Sequence, residues 1–209
     1  MKRILIIGAN GFTGRQLLND LLAHKQYNVT GCSLHPDILP TPDKAGSYHF
    51  IETDIRDAAA VKDLFKRVHP NVVVNCSALS VPDYCETHHE EAYLTNVTAV
   101  EQLAHLCEEY KSRFIHLSTD FVFDGKMDEH TGQLYTEEDV PAPVNYYGFT
   151  KWKGEEKVAG ICSNYAIVRV EIVYGKALAG QHGNIVQLVM NRLKAGQEIR
   201  VVSNQWRTP

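Results

Sequence analysis

The fold is decided by the run Ile4-Leu5-Ile6-Ile7-Gly8-Ala9-Asn10-Gly11-Phe12-Thr13-Gly14. Four consecutive apolar residues, with no polar alternation, form the pattern of a strand buried on both faces of a parallel sheet. Three glycines at three-residue spacing follow at once. Residues 12–24 then carry apolar side chains at 17, 18, 21 and 22, the stripe of an amphipathic helix. Strand, glycine turn and helix in that order are the context in which a glycine triplet holds a pyrophosphate. Glycine lets the turn close and lets backbone N–H groups reach phosphate oxygens, while the helix N-terminus adds partial positive charge. The third glycine lets the helix lie close to the sheet. Gly8, Asn10, Gly11, Phe12, Thr13 and Gly14 are therefore the candidate phosphate-binding residues. The spacing is G-x-x-G-x-x-G, not the more familiar G-x-G-x-x-G.

Outward from this turn, strand-like and helix-like segments alternate. Strands are predicted at 28–33, 48–51, 71–76, 114–117, 165–170 and 199–202, and helices at 58–68, 92–110, 145–159 and 185–193. Such alternation means βαβ units, so the fold class is α/β, a doubly wound parallel-sheet Rossmann fold. Residues 124–143 are polar and rich in turn formers and read as a loop. The apolar helix at 92–110 suits either a cover for the sheet or a face for a second copy of the chain, a homodimer.

Composition narrows the classes. Of 209 residues, 44% are hydrophobic and 22% charged, which excludes a disordered chain. Lys and Arg number 21 against 25 Asp and Glu, a net charge of −4, which argues against a nucleic-acid partner. No stretch approaches the ~18 apolar residues that cross a bilayer, so no membrane partner is expected. The apolar run after Met1-Lys2-Arg3 is too short for a signal-peptide core. The five cysteines (32, 76, 85, 107 and 162) form no C-x-x-C pair, which fits a reducing, cytoplasmic setting. Cys85-x-x-His88 has a ligand-like spacing, but no second tight pair follows, and His105 and Cys107 point to different helix faces. No metal site is expected.

The end of the second strand sorts the nicotinamide cofactors. An acid there binds the ribose 2′-hydroxyl and repels a 2′-phosphate. This chain has Cys32-Ser33-Leu34-His35, without an acid, so NADP(H) is favoured. No Arg follows either, leaving only Arg15 and His35 as phosphate partners, so NAD(H) is also accommodated. Ser33 falls beside the ribose. Asp54 and Ile55, after the third strand, fall where an adenine would lie, although an Asp there also suits a helix cap.

Tyr147-Gly148-Phe149-Thr150-Lys151 puts a phenol and an ammonium at i and i+4 on one helix face. A phenol with its pKa near 10 exchanges protons poorly at pH 7 unless nearby positive charge lowers it, and Lys151 is expected to supply that charge. Tyr146 has Thr150 four residues on and is excluded. Tyr-x-x-x-Lys alone is common by chance; its weight comes from standing after the fifth strand in a chain with the glycine turn. Ser118 and Thr119 end that strand, where open α/β sheets bind ligands. Either one polarises a carbonyl or simply caps the next turn.

Together these features resemble the extended short-chain dehydrogenase/reductase superfamily. Ser118-Thr119-Asp120-Phe121-Val122-Phe123-Asp124-Gly125, Tyr135, Pro141, Pro143, Asn145, Tyr147-Gly148-x-x-Lys151-x-x-Gly154-Glu155 and Arg169-Val170-x-x-Val173-Tyr174-Gly175 resemble the dTDP-4-dehydrorhamnose reductase family. Gly183-Asn184 and Asn204-Gln205-Trp206-x-Thr208-Pro209 fit it as well. The resemblance implies reduction by NAD(P)H of the 4-keto group of a nucleotide-linked deoxysugar. By position, Thr119 polarises the carbonyl, Tyr147 is the acid, and Lys151 is its charge partner and the ribose ligand. Cys76, Ser77, Ala78 and Ser118 border the cofactor. Ser80, Val81, Thr119, Asp120, Phe121 and Asn184 border the sugar, and Asn96 supports the site from behind. It also implies a dinucleotide-binding domain over 1–170 and the beginning of a substrate-binding region over 171–209 that continues past Pro209.

Phe121 stands where that family commonly has Tyr, so a hydroxyl contact is lost. The related dehydratases carry Thr-Asp-Glu, whose Glu is missing after Thr119-Asp120, and the epimerases usually have an acid after the second strand. A second resemblance remains open. The regulatory β subunit of methionine adenosyltransferase keeps the glycine turn and Tyr-x-x-x-Lys yet acts by binding a partner, and it is similar at Val29-Thr30-Gly31-Cys32 and Pro141-Ala142-Pro143.

Overall fold

A computed structural model describes residues 1–38, 48–126, 134–175 and 184–200. Its centre is β1 (Lys2–Ile7), whose alternate side chains enter two different cores. Leu5 and Ile7 pack with Val73 and Phe114 against the helices on one face, and Ile4 and Ile6 pack with Val29 and Leu18 on the other. All four of these β1 side chains are at most 6% exposed, which is why the run shows no polar alternation. Each such burial contributes roughly 1.5–3 kcal/mol against the entropy of ordering the chain.

Around β1 lie β2 (Tyr27–Ser33), β3 (Tyr48–Glu52), β4 (Val72–Asn75), β5 (Arg113–Thr119) and β6 (Tyr165–Val170). They form one sheet in the order β3-β2-β1-β4-β5-β6, with every neighbouring pair parallel. The order reverses between β1 and β4, and the crevice beyond the carboxyl ends of those strands is where such sheets hold ligands. The helices are α1 (Phe12–Leu22), α2 (Ala58–Val68), α3 (Pro82–Cys85), α4 (His89–Tyr93), α5 (Ala99–Glu109), α6 (Tyr146–Ile161) and α7 (Ile185–Lys194). The sheet and its flanking helices are those of the doubly wound fold expected from the alternation.

The single helix expected at 92–110 is instead interrupted. α4 ends at Tyr93, a π-helical turn covers Leu94–Thr98, and α5 begins at Ala99. Asn96 explains the wider turn. Its side chain is needed sideways, accepting from Leu79 N at 2.9 Å and donating to Leu79 O at 3.1 Å and Thr150 Oγ1 at 3.0 Å. A Cβ at Gly154 would stand 2.6 Å from Asn96 O, so α6 passes against this turn only because residue 154 is glycine. Val100, Leu103, Ala104 and Cys107 of α5 lie in the core, so this helix covers the sheet.

Two short helices, α3 and α4, follow β4. Ile199 and Arg200 are not in a strand, and the rest of the strand expected at 199–202 lies outside the described residues. The same holds for Gly183 and for 204–209; the described parts of 124–143 are irregular, as expected. All five cysteines are free thiols. Among the described residues no helix is long and apolar enough to cross a membrane, and no cluster of side chains suits a metal ion.

Candidate dinucleotide and substrate cleft

A cleft of about 1330 Å³ opens beyond the carboxyl ends of β1, β4 and β5. Its floor begins at the glycine turn. Gly8 has φ +76°, and a Cβ there would lie 2.8 Å from Ser77 N and 2.9 Å from the Cys76 carbonyl carbon. Glycine is required on both counts, and the β1 and β4 loops touch only because of it. Gly8 N and Ala9 N donate to Cys32 O at 2.8 and 3.0 Å, pinning the turn to the end of β2.

α1 is begun by Gly11, which offers no side-chain cap, whereas α2, α6 and α7 are capped by Asp57, Asn145 and Asn184. The helix next to the glycine turn thus keeps its first N–H groups without a side-chain acceptor, facing a cleft that Gly11, Phe12 and Thr13 line. Ser118 Oγ, another cleft-lining group, is buried with no hydrogen-bond partner. Both features fit a phosphate-bearing dinucleotide with polar groups at its far end.

At the end of the cleft nearest β2 and β3, Ser33 and Ile55 join Asp54. Asp54 does not cap a helix. Both its oxygens take the Arg56 guanidinium, at 2.7–3.1 Å, and this hydrogen-bonded pairing holds its carboxyl below the usual carboxylate range. Arg56 reaches Glu91 at 3.4 Å as well. Arg56, Glu91 and Thr95 line the cleft and were not picked out in the sequence. For Arg56 the one signal was its place two residues past Asp54, the reach of a local side-chain turn.

At the other end, α6 buries a polar stripe: Tyr147, Lys151 and Glu155, one turn apart, are 9%, 2% and 4% exposed. The Thr119 hydroxyl takes the Phe121 N–H at 3.2 Å and donates to Asp120 Oδ1 at 3.1 Å. The same hydroxyl is the one influence lowering the pKa of the Tyr147 phenol. Burial outweighs it and pushes Tyr147 up to about 12. This corrects the expectation that Lys151 lowers the phenol here: the Lys151 amine instead donates to Leu117 O at 2.7 Å and lies 3.4 Å from His116 Nε2. The ring of Phe121 meets that of Tyr147 edge-on at 5.7 Å.

The cleft brings together Gly8, Gly11, Phe12, Thr13, Ser33, Asp54, Ile55, Cys76, Ser77, Ala78, Ser80, Ser118, Thr119, Asp120, Phe121, Tyr147, Lys151 and Asn184. Three expected residues do not line it. Asn10 turns its carboxamide to His35 O and Pro36 O, at 3.0 and 2.9 Å, and so fastens the loop after β2. Gly14 is buried beneath the turn, where a Cβ would collide with Gly8. Val81 precedes α3 and is half-exposed. His88 and His89 stack on Tyr84 and Tyr146, and the Cys85 thiol donates to Leu79 O.

The strand order, the glycine turn and the Tyr147–Lys151 face define a dinucleotide fold of the extended short-chain dehydrogenase/reductase class. Within it, the chain belongs to the family described as the RmlD substrate binding domain, which matches residues 1–209, the family of the dTDP-4-dehydrorhamnose reductases. It is 34% identical over 207 residues to the probable low-salt glycan biosynthesis reductase Agl14 of Haloferax volcanii, covering 98% of this chain and 65% of the relative. It is 35% identical over 174 residues to the methionine adenosyltransferase 2 subunit beta of Xenopus tropicalis, covering 83% of this chain and 48% of that one. Among solved structures, it is similar to the dTDP-4-dehydrorhamnose reductase of Bacillus anthracis in complex with NADP. The TM-score is 0.72 and the identity 27%, over 93% of this chain and 61% of the other. The chain thus spans about half to two thirds of the length of these relatives.

Proposed function

We propose that this chain is the dinucleotide-binding part of an NAD(P)H-dependent reductase that acts on the 4-keto group of a nucleotide-linked deoxysugar, as in dTDP-L-rhamnose or related glycan biosynthesis. The observation that carries the reading is that one cleft brings Thr119, at the carboxyl end of β5, together with Tyr147 and with Lys151 one helical turn further on. NADPH, when bound, supplies the hydride for the carbonyl carbon. Tyr147 gives its proton to the ketone oxygen, and Thr119 holds that oxygen as negative charge develops there. Lys151 is the positive charge that makes the phenol a usable acid once the cleft is filled. Asp120, Phe121, Ser80 and Asn184 border the sugar. We assign residues 1–170 to the dinucleotide domain and 171–209 to the start of the substrate region.

NADPH is favoured because Ser33-Leu34-His35 brings no acid to the end of β2, and the Bacillus relative carries NADP; NADH is accommodated for want of a dedicated basic pair. The likeness to the methionine adenosyltransferase β subunit supports a second reading, a dinucleotide-binding regulatory subunit without turnover. The test is NADPH consumption by the full-length protein with dTDP-4-dehydrorhamnose and a panel of other 4-keto sugar nucleotides. Turnover with any of them supports the reductase. Saturable NADPH binding with no turnover on the whole panel supports the regulatory subunit.

A further inference from the structure

Lys151 sits in surroundings that proton transfer by Tyr147 does not require. Its Nζ is enclosed with one true acceptor, Leu117 O, and with His116 Nε2 at 3.4 Å. The carboxylate on its own helix, Glu155, is occupied by Arg169 Nη2 at 2.7 Å and Nε at 3.1 Å. An ammonium has three hydrogens to place, and here they find one carbonyl and no free carboxylate.

The protonation of His116 follows from a chain of contacts anchored on backbone. Ser77 N can only donate, and it lies 3.1 Å from Asn75 Oδ1, which also takes the Ser77 hydroxyl at 2.6 Å. The Asn75 carboxamide therefore presents its Nδ2, a donor, to His116 Nδ1 at 3.2 Å. Nδ1 must accept, so the ring is neutral and its proton is on Nε2, facing Lys151. The ring is fully buried, and burial, with the Lys151 amine beside it, keeps its pKa well below the ordinary value. An N–H aimed at an ammonium opposes the charge, whereas aimed at a neutral amine it donates to the nitrogen lone pair.

We propose that His116 is a positioning residue that disfavours the ammonium form of Lys151 in the empty cleft, so that binding of a dinucleotide takes up a proton at Lys151, most of all in mildly alkaline solution. The proposal rests on the dinucleotide-binding reading above. The groups around Nζ are His116 and the Leu117 carbonyl from β5, Cys76 beyond β4, and Tyr147 and Glu155 on α6, with Arg169 of β6 bound to Glu155. Cys76, pushed up to about 12 by burial, is an uncharged thiol at neutral pH, and Tyr147 is an uncharged phenol. Negative charge on the dinucleotide shifts the balance towards the ammonium. The charge beside Tyr147 is then complete in the loaded cleft and only partial in the empty one at mildly alkaline pH.

The test is titration calorimetry of NADPH into the full-length protein, in buffers of different ionisation heat, at pH 7.0 and pH 8.5. Burial sets the free Lys151 near pKa 8, so uptake should rise from about 0.1 proton per NADPH at pH 7.0 to about 0.8 at pH 8.5. His116→Gln, whose amide can turn its oxygen to the ammonium, should still bind NADPH but take up less than half as much at pH 8.5. Lys151→Met, titrated to saturation at its own affinity, should take up none. Unchanged uptake in His116→Gln overturns the role of His116. Binding without uptake in the wild type overturns the inference whatever the variants do. Absence of NADPH binding overturns the dinucleotide reading itself.

Discussion

Glu155 on α6 and Arg169 on β6 are joined by three nitrogen–oxygen contacts of 2.7–3.3 Å, with the Glu155 side chain only 5% exposed. The pair fastens the helix that carries Tyr147 and Lys151 to the strand beside it. Arg169 also lies over the ring of Phe123, 5.1 Å from its centre, which ties in the segment after Thr119. Removing one partner leaves a buried charge uncompensated. Arg169→Met should therefore destabilise the protein by about 3 kcal/mol in urea unfolding, and Glu155→Gln, which keeps some hydrogen bonding, by less. Equal small losses in both would mean that the pair is only a surface contact.

Lys151 has the opposite effect on stability. Its folded pKa is about 8, against 10.5 in the open chain, so between those values the unfolded chain holds more protons. Stability contributed by this group therefore rises with pH across that window, and below pH 8 the full penalty is present. Lys151→Met should make the empty protein more stable at pH 7 by on the order of 2 kcal/mol, allowing for the lost bond to Leu117 O. The advantage should shrink towards pH 10. The thiols and phenols titrate alike in both proteins and cancel in the difference, which urea unfolding at pH 7 and 9.5 measures.

Asn96 links the π-helical turn to Leu79 at the cleft wall and to Thr150 on α6. At 1% exposure its loss strands several polar groups at once. Asn96→Ala should cost about 2–3 kcal/mol and weaken NADPH binding several-fold, because the 76–80 wall loosens. Binding unchanged alongside lowered stability would confine Asn96 to the core.

Gly8→Ala tests the glycine turn. With φ +76° and backbone atoms under 3 Å from the new Cβ, the β1 and β4 loops must part. NADPH affinity should fall by at least tenfold, with the sheet still folded by circular dichroism. Retained affinity would place the phosphates elsewhere.

The sheet was legible because β1, with four buried apolar residues and a glycine turn, leaves one fold class open. The break at 94–98 was not, because Ala92–Tyr110 keeps a helical apolar stripe and the cause, Asn96 reaching Leu79 and Thr150, is a contact across 17 and 54 residues. Similarly, Tyr147 and Lys151 were readable from a four-residue spacing, but the direction of the phenol's shift was not. Spacing says that the two share a helix face. It does not say that the amine is drawn to Leu117 O while the phenol is buried beside Thr119. Asn10, read as part of the glycine motif, turned out to fasten the loop after β2, since a short carboxamide in a turn bonds whichever carbonyls come nearest.

The central claim is that Tyr147 is the proton donor to a keto-sugar carbonyl. The most direct measurement compares full-length wild type with Tyr147→Phe on the keto-sugar nucleotide that the wild type reduces, following NADPH consumption and NADPH affinity together. The account predicts a fall in kcat of about a thousandfold with NADPH affinity within a few-fold of wild type. A Tyr147→Phe protein that reduces the sugar at nearly the wild-type rate would contradict it.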